Sequence, residues 1–80
     1  MFYVYIIKSK NYSKHYTGIT ADLRKRFQDH NSGKSPYTAQ YKPYIMSWYC
    51  GFSEKNNAYK FEQYLKSGSG IAFLKKHFLS

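Results

Sequence analysis

Apolar positions open the chain without a gap. Phe2-Tyr3-Val4-Tyr5-Ile6-Ile7 is aromatic or β-branched throughout, so both faces of an extended segment are apolar. That pattern predicts a central strand covered on both sides. Ser9 to Lys14, with Asn11 and Ser13, is polar and reads as a turn. His15-Tyr16-Thr17-Gly18-Ile19 resumes strand character, so the first two strands are expected to form an antiparallel hairpin. The hairpin puts Tyr5 and Tyr16 on neighbouring strands, with the register left open. Gly18 lacks a Cβ and would admit a backbone or ligand close to the strand end.

A helical period follows. Thr20 is the expected N-cap, Asp22 in the first turn complements the helix dipole, and the helix should run to about Asn31. Ser32-Gly33 should stop it, with Gly33 suited to a left-handed position. Leu23 and Phe27 mark the buried stripe. Arg26 and His30, also four apart, lie beside it, whereas Arg24 and Lys25 point elsewhere. From Lys34 to Pro43 two prolines and the lack of any clean period predict an exposed loop.

Tyr44 to Phe52 is the expected third strand, holding the one tryptophan, Trp48, and a cysteine, Cys50, read as a small buried apolar residue. Ser53 should cap a helix from Glu54 to about Lys66, with Ala58, Phe61 and Leu65 as its apolar positions. Ser67-Gly68 should end it. Ser69 can then cap a last helix, Gly70 to Phe78, with a stripe of Ile71, Leu74 and Phe78. The order β-β-α-β-α-α predicts one small α+β domain over residues 1–80, a three-stranded antiparallel β-sheet flanked by helices. No internal repeat or linker is visible.

At 80 residues, 42% of them apolar, the chain is near the lower limit for a core without staples. One cysteine rules out an internal disulfide, and no Cys/His cluster has zinc-ligand spacing. Such usage suits a reducing cytoplasm. The apolar opening is too short to span a membrane and lacks the basic start and cleavage site of a signal peptide.

Charge narrows the function. Thirteen Lys+Arg against four Asp+Glu leave +9, spread along ordered-looking segments. A folded domain this basic points to a polyanion, nucleic acid before a membrane surface. Arg24, Lys25, Lys34, Lys42 and Lys66 are the candidate nucleic-acid contacts. The aromatic share of 21% also suits stacking on bases.

Glu62 is the anomaly. It falls in the middle of the stripe Ala58-Phe61-Leu65, and an unpaired carboxylate buried there would cost several kcal/mol. It needs either a salt bridge to Arg or Lys, or a hard divalent cation such as Mg²⁺. With Tyr5, Tyr16, Arg26 and His30 it would suit metal-assisted phosphodiester hydrolysis. Arg26 would bind the phosphate as a fork. A tyrosine or His30 would handle the proton of the attacking water, and the sequence leaves that choice open.

The spacing carries a resemblance. Tyr3-Val4-Tyr5, ten residues, Tyr16-Thr17-Gly18, then Asp22-Leu23-Arg24-Lys25-Arg26 and His30-Asn31, resembles the GIY-YIG nuclease domain. The small stand-alone bacterial members, which are excinuclease-like, are the most similar. The phrases His30-Asn31-Ser32-Gly33, Gly51-Phe52 and Ala58-Tyr59-Lys60-Phe61-Glu62 are similar to the family's nuclease that cuts branched DNA. Tyr3 stands where the family name has Gly, and Thr17 where it has Ile. The resemblance implies a DNA endonuclease dependent on Mg²⁺ or Mn²⁺. Tyr5 and Tyr16 match its motif tyrosines and Arg26 its catalytic arginine. His30 matches a histidine of some branches, and Glu62 the metal-binding glutamate.

The expected activity is therefore hydrolysis of DNA phosphodiesters, on branched, flap or damaged DNA in repair or recombination, by a monomer or weak homodimer. The alternative is a nucleic-acid-binding module with little turnover, accessory to a larger repair complex. Neither involves a membrane.

Overall fold

A computed structural model describes residues 1–77. Three strands, β1 (Phe2–Ser9), β2 (His15–Thr20) and β3 (Tyr44–Phe52), form an antiparallel sheet in the order β2-β1-β3. The continuous apolar run is thus the central strand, and Val4, Tyr5, Ile6 and Ile7 are all buried. The hairpin register sets Tyr5 opposite Gly18 and Ile7 opposite Tyr16. Against β3 the register slips between Ile6, paired with Trp48, and Ile7, paired with Met46. Ser47 is the extra residue, a bulge in the bonded ladder.

Among the described residues four helices cover the sheet: α1 (Leu23–Ser32), α2 (Pro36–Ala39), α3 (Lys55–Lys66) and α4 (Gly68–His77). Alternation along β1 sorts its side chains into two layers. Val4 and Ile6 pack with Ala58 and Leu65 of α3 and Leu74 of α4, while Phe2, Ile19, Trp48, Phe52 and Phe61 close the rim. Tyr5 and Ile7 pack on the other face with Tyr44, against which Tyr16, Leu23, Phe27, Tyr41 and Met46 lie. No helix among the described residues is long and apolar enough to cross a membrane.

Several boundaries differ from expectation. Asp22, not Thr20, caps α1: its carboxylate accepts from the Lys25 amide at 3.1 Å. Thr20 instead closes a tight turn, its hydroxyl oxygen accepting from the Asp22 amide. Gly33 ends α1 in the left-handed region (φ 85°), as its lack of a Cβ allows. The expected loop from Lys34 to Pro43 contains α2, too short to display a 3.6-residue period. Pro36 sits in its first turn, where a missing N–H costs nothing.

Glu54 rather than Ser53 is the cap residue of α3. Ser67, not Ser69, starts α4: its hydroxyl accepts from the Gly70 amide and its carbonyl from Ile71. Of the stripe expected there, Leu74 is buried and Ile71 half-buried, and Phe78 lies outside the described residues. Cys50 is half-buried, not part of the core.

Candidate active site

The deepest residue of α1 is a histidine. Leu23 and Phe27 are only half-buried, whereas His30 is fully buried, and both its ring nitrogens are engaged. Nε2 lies 2.7 Å from the Tyr5 hydroxyl and Nδ1 2.7 Å from the Thr38 hydroxyl. One arrangement of protons satisfies all three contacts. Thr38 donates to the Ser35 carbonyl at 3.4 Å, so its oxygen accepts from Nδ1–H. Nε2 is then left as acceptor, and Tyr5 O–H donates to it.

Burial sets the charge states. Desolvation lowers the His30 pKa to about 4, helped by Arg26 and opposed by Asp29. It raises the Tyr5 phenol to about 12; Tyr16 and Glu62 push the same way, and Arg26 pulls back. The pair therefore rests as phenol and neutral imidazole.

Gly18 makes room for this. A Cβ there would stand 2.5 Å from the Tyr5 hydroxyl and 2.6 Å from Cζ. The Tyr5 ring thus crosses the bare β2 backbone toward the sheet edge, where Tyr16 waits. Ring centroids lie 6.4 Å apart for Tyr5 and Tyr16 and 5.1 Å for Tyr16 and His30. Tyr16 is half-buried and reachable from solvent, while Tyr5 is not.

Glu62 comes from the opposite layer. It is buried, and its charge raises the pKa of the Tyr5 phenol. Lys66 Nζ pairs with its Oε2 at 3.1 Å and Gln63 donates to Oε1 at 2.9 Å. The same ammonium lies 5.7 Å from the centre of the Tyr16 ring. Of the two partners considered for a carboxylate in an apolar stripe, a cation or a salt bridge, the salt bridge is present, and it is local, one helical turn away.

Tyr5, Tyr16 and His30, from β1, β2 and α1, pack as one ring cluster. Arg26 of α1 and Glu62 of α3 act on the Tyr5 phenol, and Lys66 links Glu62 to the Tyr16 ring. The candidate contacts of the basic surface divide. Lys66 joins the cluster through Glu62. Lys25 pairs with Asp29 at 3.4 Å on exposed α1. Arg24 lines a separate groove of about 580 Å³ with Tyr3, Phe27 and Tyr49. Lys34 and Lys42 are exposed, with the Lys42 ammonium beside Gly33 at the end of α1.

The donor set fits a hard cation held by one protein carboxylate. Among the described residues no group of three or more His, Cys, Asp or Glu could hold a metal. Glu62 alone offers hard oxygens beside the phenols, and it already balances one positive charge there. A single carboxylate is enough for Mg²⁺, which keeps waters and takes further oxygens from substrate phosphate.

Sequence reasoning missed Thr38, which fixes the His30 tautomer, and the Lys66 partner of Glu62. The Glu62-to-Lys66 spacing of four, acid first, was a legible signal for the second. Nothing marked Thr38.

Comparison with known proteins agrees with the fold. The GIY-YIG catalytic domain matches residues 1–71. The chain is similar to a UPF0213 protein of Vibrio campbellii, 38% identical over 64 residues, 79% of this chain and 61% of that one. It is also similar to UPF0213 protein SH2523 of Staphylococcus haemolyticus (38% over 68 residues, 84% and 82%). For UPF0213 protein YazA of Bacillus subtilis the figures are 38% over 65 residues, 80% and 65%. The matched stretch is under two thirds of the Vibrio and Bacillus chains.

Proposed function

Because the chain belongs to the GIY-YIG catalytic domain family, a nuclease fold, we propose that it is a metal-dependent endonuclease hydrolysing DNA phosphodiesters. The observation that carries this reading is convergence on one phenol. His30 takes its hydrogen bond, and Tyr16, Arg26 and Glu62 each bear on its charge.

A phenol can accept a proton from water only while giving up its own. Tyr5 has a neutral imidazole in line at 2.7 Å to receive it. Tyr5 is closed to solvent, so the proton of the attacking water would pass to Tyr16 Oη at the open side. Tyr16's own proton would move to Tyr5 Oη, and that of Tyr5 to His30 Nε2. Hydroxide attacks phosphorus, the bond to the leaving oxygen breaks, and that oxygen takes up a proton, balanced when the one held on His30 returns along the relay. Tyr16, at the open side, orients the water. Arg26 holds the non-bridging oxygens and offsets the charge that builds on them. Glu62 would hold Mg²⁺ or Mn²⁺, which supplies charge stabilisation at the phosphate and leaving oxygen. Arg24, Lys25, Lys34, Lys42 and Lys66 contribute to the positive field around the backbone.

Branched, flap or damaged DNA in repair or recombination is the proposed substrate, met in the cytoplasm by a monomer or weak homodimer, alone or within a larger repair complex. The test compares wild type with Glu62→Gln and Arg26→Ala on duplex, flap and branched DNA with Mg²⁺ or Mn²⁺. Each variant is expected to cleave about 100-fold more slowly or worse. Undiminished cleavage by both would sink the assignment.

One observation favours the rival, a binding module with little turnover: Lys66 already neutralises Glu62. That reading predicts no cleavage by wild type and DNA binding that weakens steeply with salt.

A further inference from the structure

Tyr37 is the most exposed large apolar side chain of the described residues, at 74%. Isolated exposed aromatics need no explanation, but this one is mounted rigidly beside the reacting cluster. Its neighbour Thr38 is buried and bonded to His30, and Ser35, bonded to Thr38, is buried as well. Pro36 restricts the backbone before it. The Tyr37 ring is tilted against Tyr16, with centroids 5.9 Å apart.

Between Tyr37 and the α3–α4 corner runs a groove of about 470 Å³ along the outer edge of β2. Tyr16 lies within it, Leu65 and Ile71 add apolar surface, and Lys66 stands across from Tyr37. His15 lines the same groove, with the Lys75 charge close enough to lower its pKa. An aromatic plate, an apolar base and a cationic far wall match a flat heteroaromatic ring joined to a phosphate. They do not suit a paired duplex, whose bases are closed within the stack.

We propose that Tyr37 and Tyr16 form a stacking site for one unpaired nucleobase of single-stranded DNA, next to the phosphodiester to be cut. The site rests on the nuclease reading for its place in a reaction, but binding can be read without turnover. It makes the enzyme select DNA in which a base beside the cut is unstacked, as at a flap, a fork or a single strand. An aromatic ring gains from stacking on any base, so preference here is for strand state rather than sequence.

The test uses a short single-stranded DNA carrying one 2-aminopurine, with the full chain in EDTA so that no cleavage occurs. Wild type is expected to change the 2-aminopurine fluorescence saturably. Tyr37→Ala should weaken binding about tenfold and remove most of that change. Tyr37→Phe should retain both, and Tyr59→Ala, another exposed tyrosine, should behave as wild type. Thermal melting of Tyr37→Ala should match wild type, since the ring is exposed. Wild-type affinity and fluorescence in Tyr37→Ala would overturn the site, as would an equal Tyr37 dependence for blunt duplex. The two readings separate cleanly. Cleavage that needs Glu62 but binding that ignores Tyr37 removes the stacking site alone. Tyr37-dependent binding without cleavage removes the nuclease reading alone.

Discussion

The Tyr5 hydroxyl donates to Nε2 of His30 at 2.7 Å, joining the central strand to the first helix across 25 residues of chain. Both groups are shut away from water, so neither finds another partner if the bond is lost. Tyr5→Phe keeps the ring and deletes the donor, leaving a buried acceptor unsatisfied. A loss of about 1–3 kcal/mol of stability is expected in urea unfolding. Cleavage should fall further than stability does, because the relay has lost the member that hands the proton to His30. A variant that melts lower but cuts at the wild-type rate would remove Tyr5 from the chemistry and leave it a role in packing.

The same burial makes stability depend on pH. In the unfolded chain His30 titrates near its ordinary 6.5, and in the folded one near 4. Between these values the unfolded state binds more protons, so stability is complete above about pH 6.5 and declines as pH falls toward 4. His15, also held below its ordinary value by burial and Lys75, adds in the same direction. Unfolding followed by urea at pH 7.5, 6 and 5 should show the decline. The charges facing His30 are Arg26, which lowers its pKa, and Asp29, which raises it. An NMR titration should place the His30 midpoint near 4, and a midpoint near 6.5 would contradict the buried neutral imidazole.

The sheet and its order were legible because strand and helix periods alternate cleanly, and because Gly33 and Gly18 mark positions where a side chain does not fit. The site was legible in part. Glu62 announced itself by falling among Ala58, Phe61 and Leu65. What stayed hidden was short or distant. Four residues of α2 cannot show a period, so Pro36 looked like a breaker rather than the first turn of a helix. Thr38 meets His30 only once α2 folds back over the sheet. The helix N-caps slipped by one or two residues because several Ser, Thr and Asp side chains compete for each start.

Gly18→Ala tests the close approach between strands. The added methyl would meet the Tyr5 hydroxyl at 2.5 Å and Cε2 of Tyr16 at 2.9 Å. Both rings must move, and Tyr5 cannot do so while keeping its bond to His30. A destabilisation of roughly 1–3 kcal/mol is expected, with loss of cleavage. A full-activity Gly18→Ala protein would mean that the phenol position is not tightly set.

Lys66 offers the sharpest test of how the carboxylate is used. Its ammonium sits 3.1 Å from Glu62 Oε2, so in the free protein it stands where a divalent cation would compete for the same oxygen. The lysine head is partly exposed and can swing to a phosphate when DNA arrives. Glu62 is buried, so its carboxylate then needs the cation, with Gln63 still donating to it, in place of the lysine. Lys66→Gln removes the competitor and leaves the acid. Mn²⁺, followed by its electron paramagnetic resonance signal without DNA, is expected to bind several-fold more tightly to Lys66→Gln than to wild type. Glu62→Gln should abolish the binding in either background. DNA affinity should fall in Lys66→Gln, with a salt dependence smaller by about one phosphate contact. If Mn²⁺ binds no more tightly after the substitution, Lys66 does not guard the carboxylate, and its place over the Tyr16 ring becomes the reason for its position.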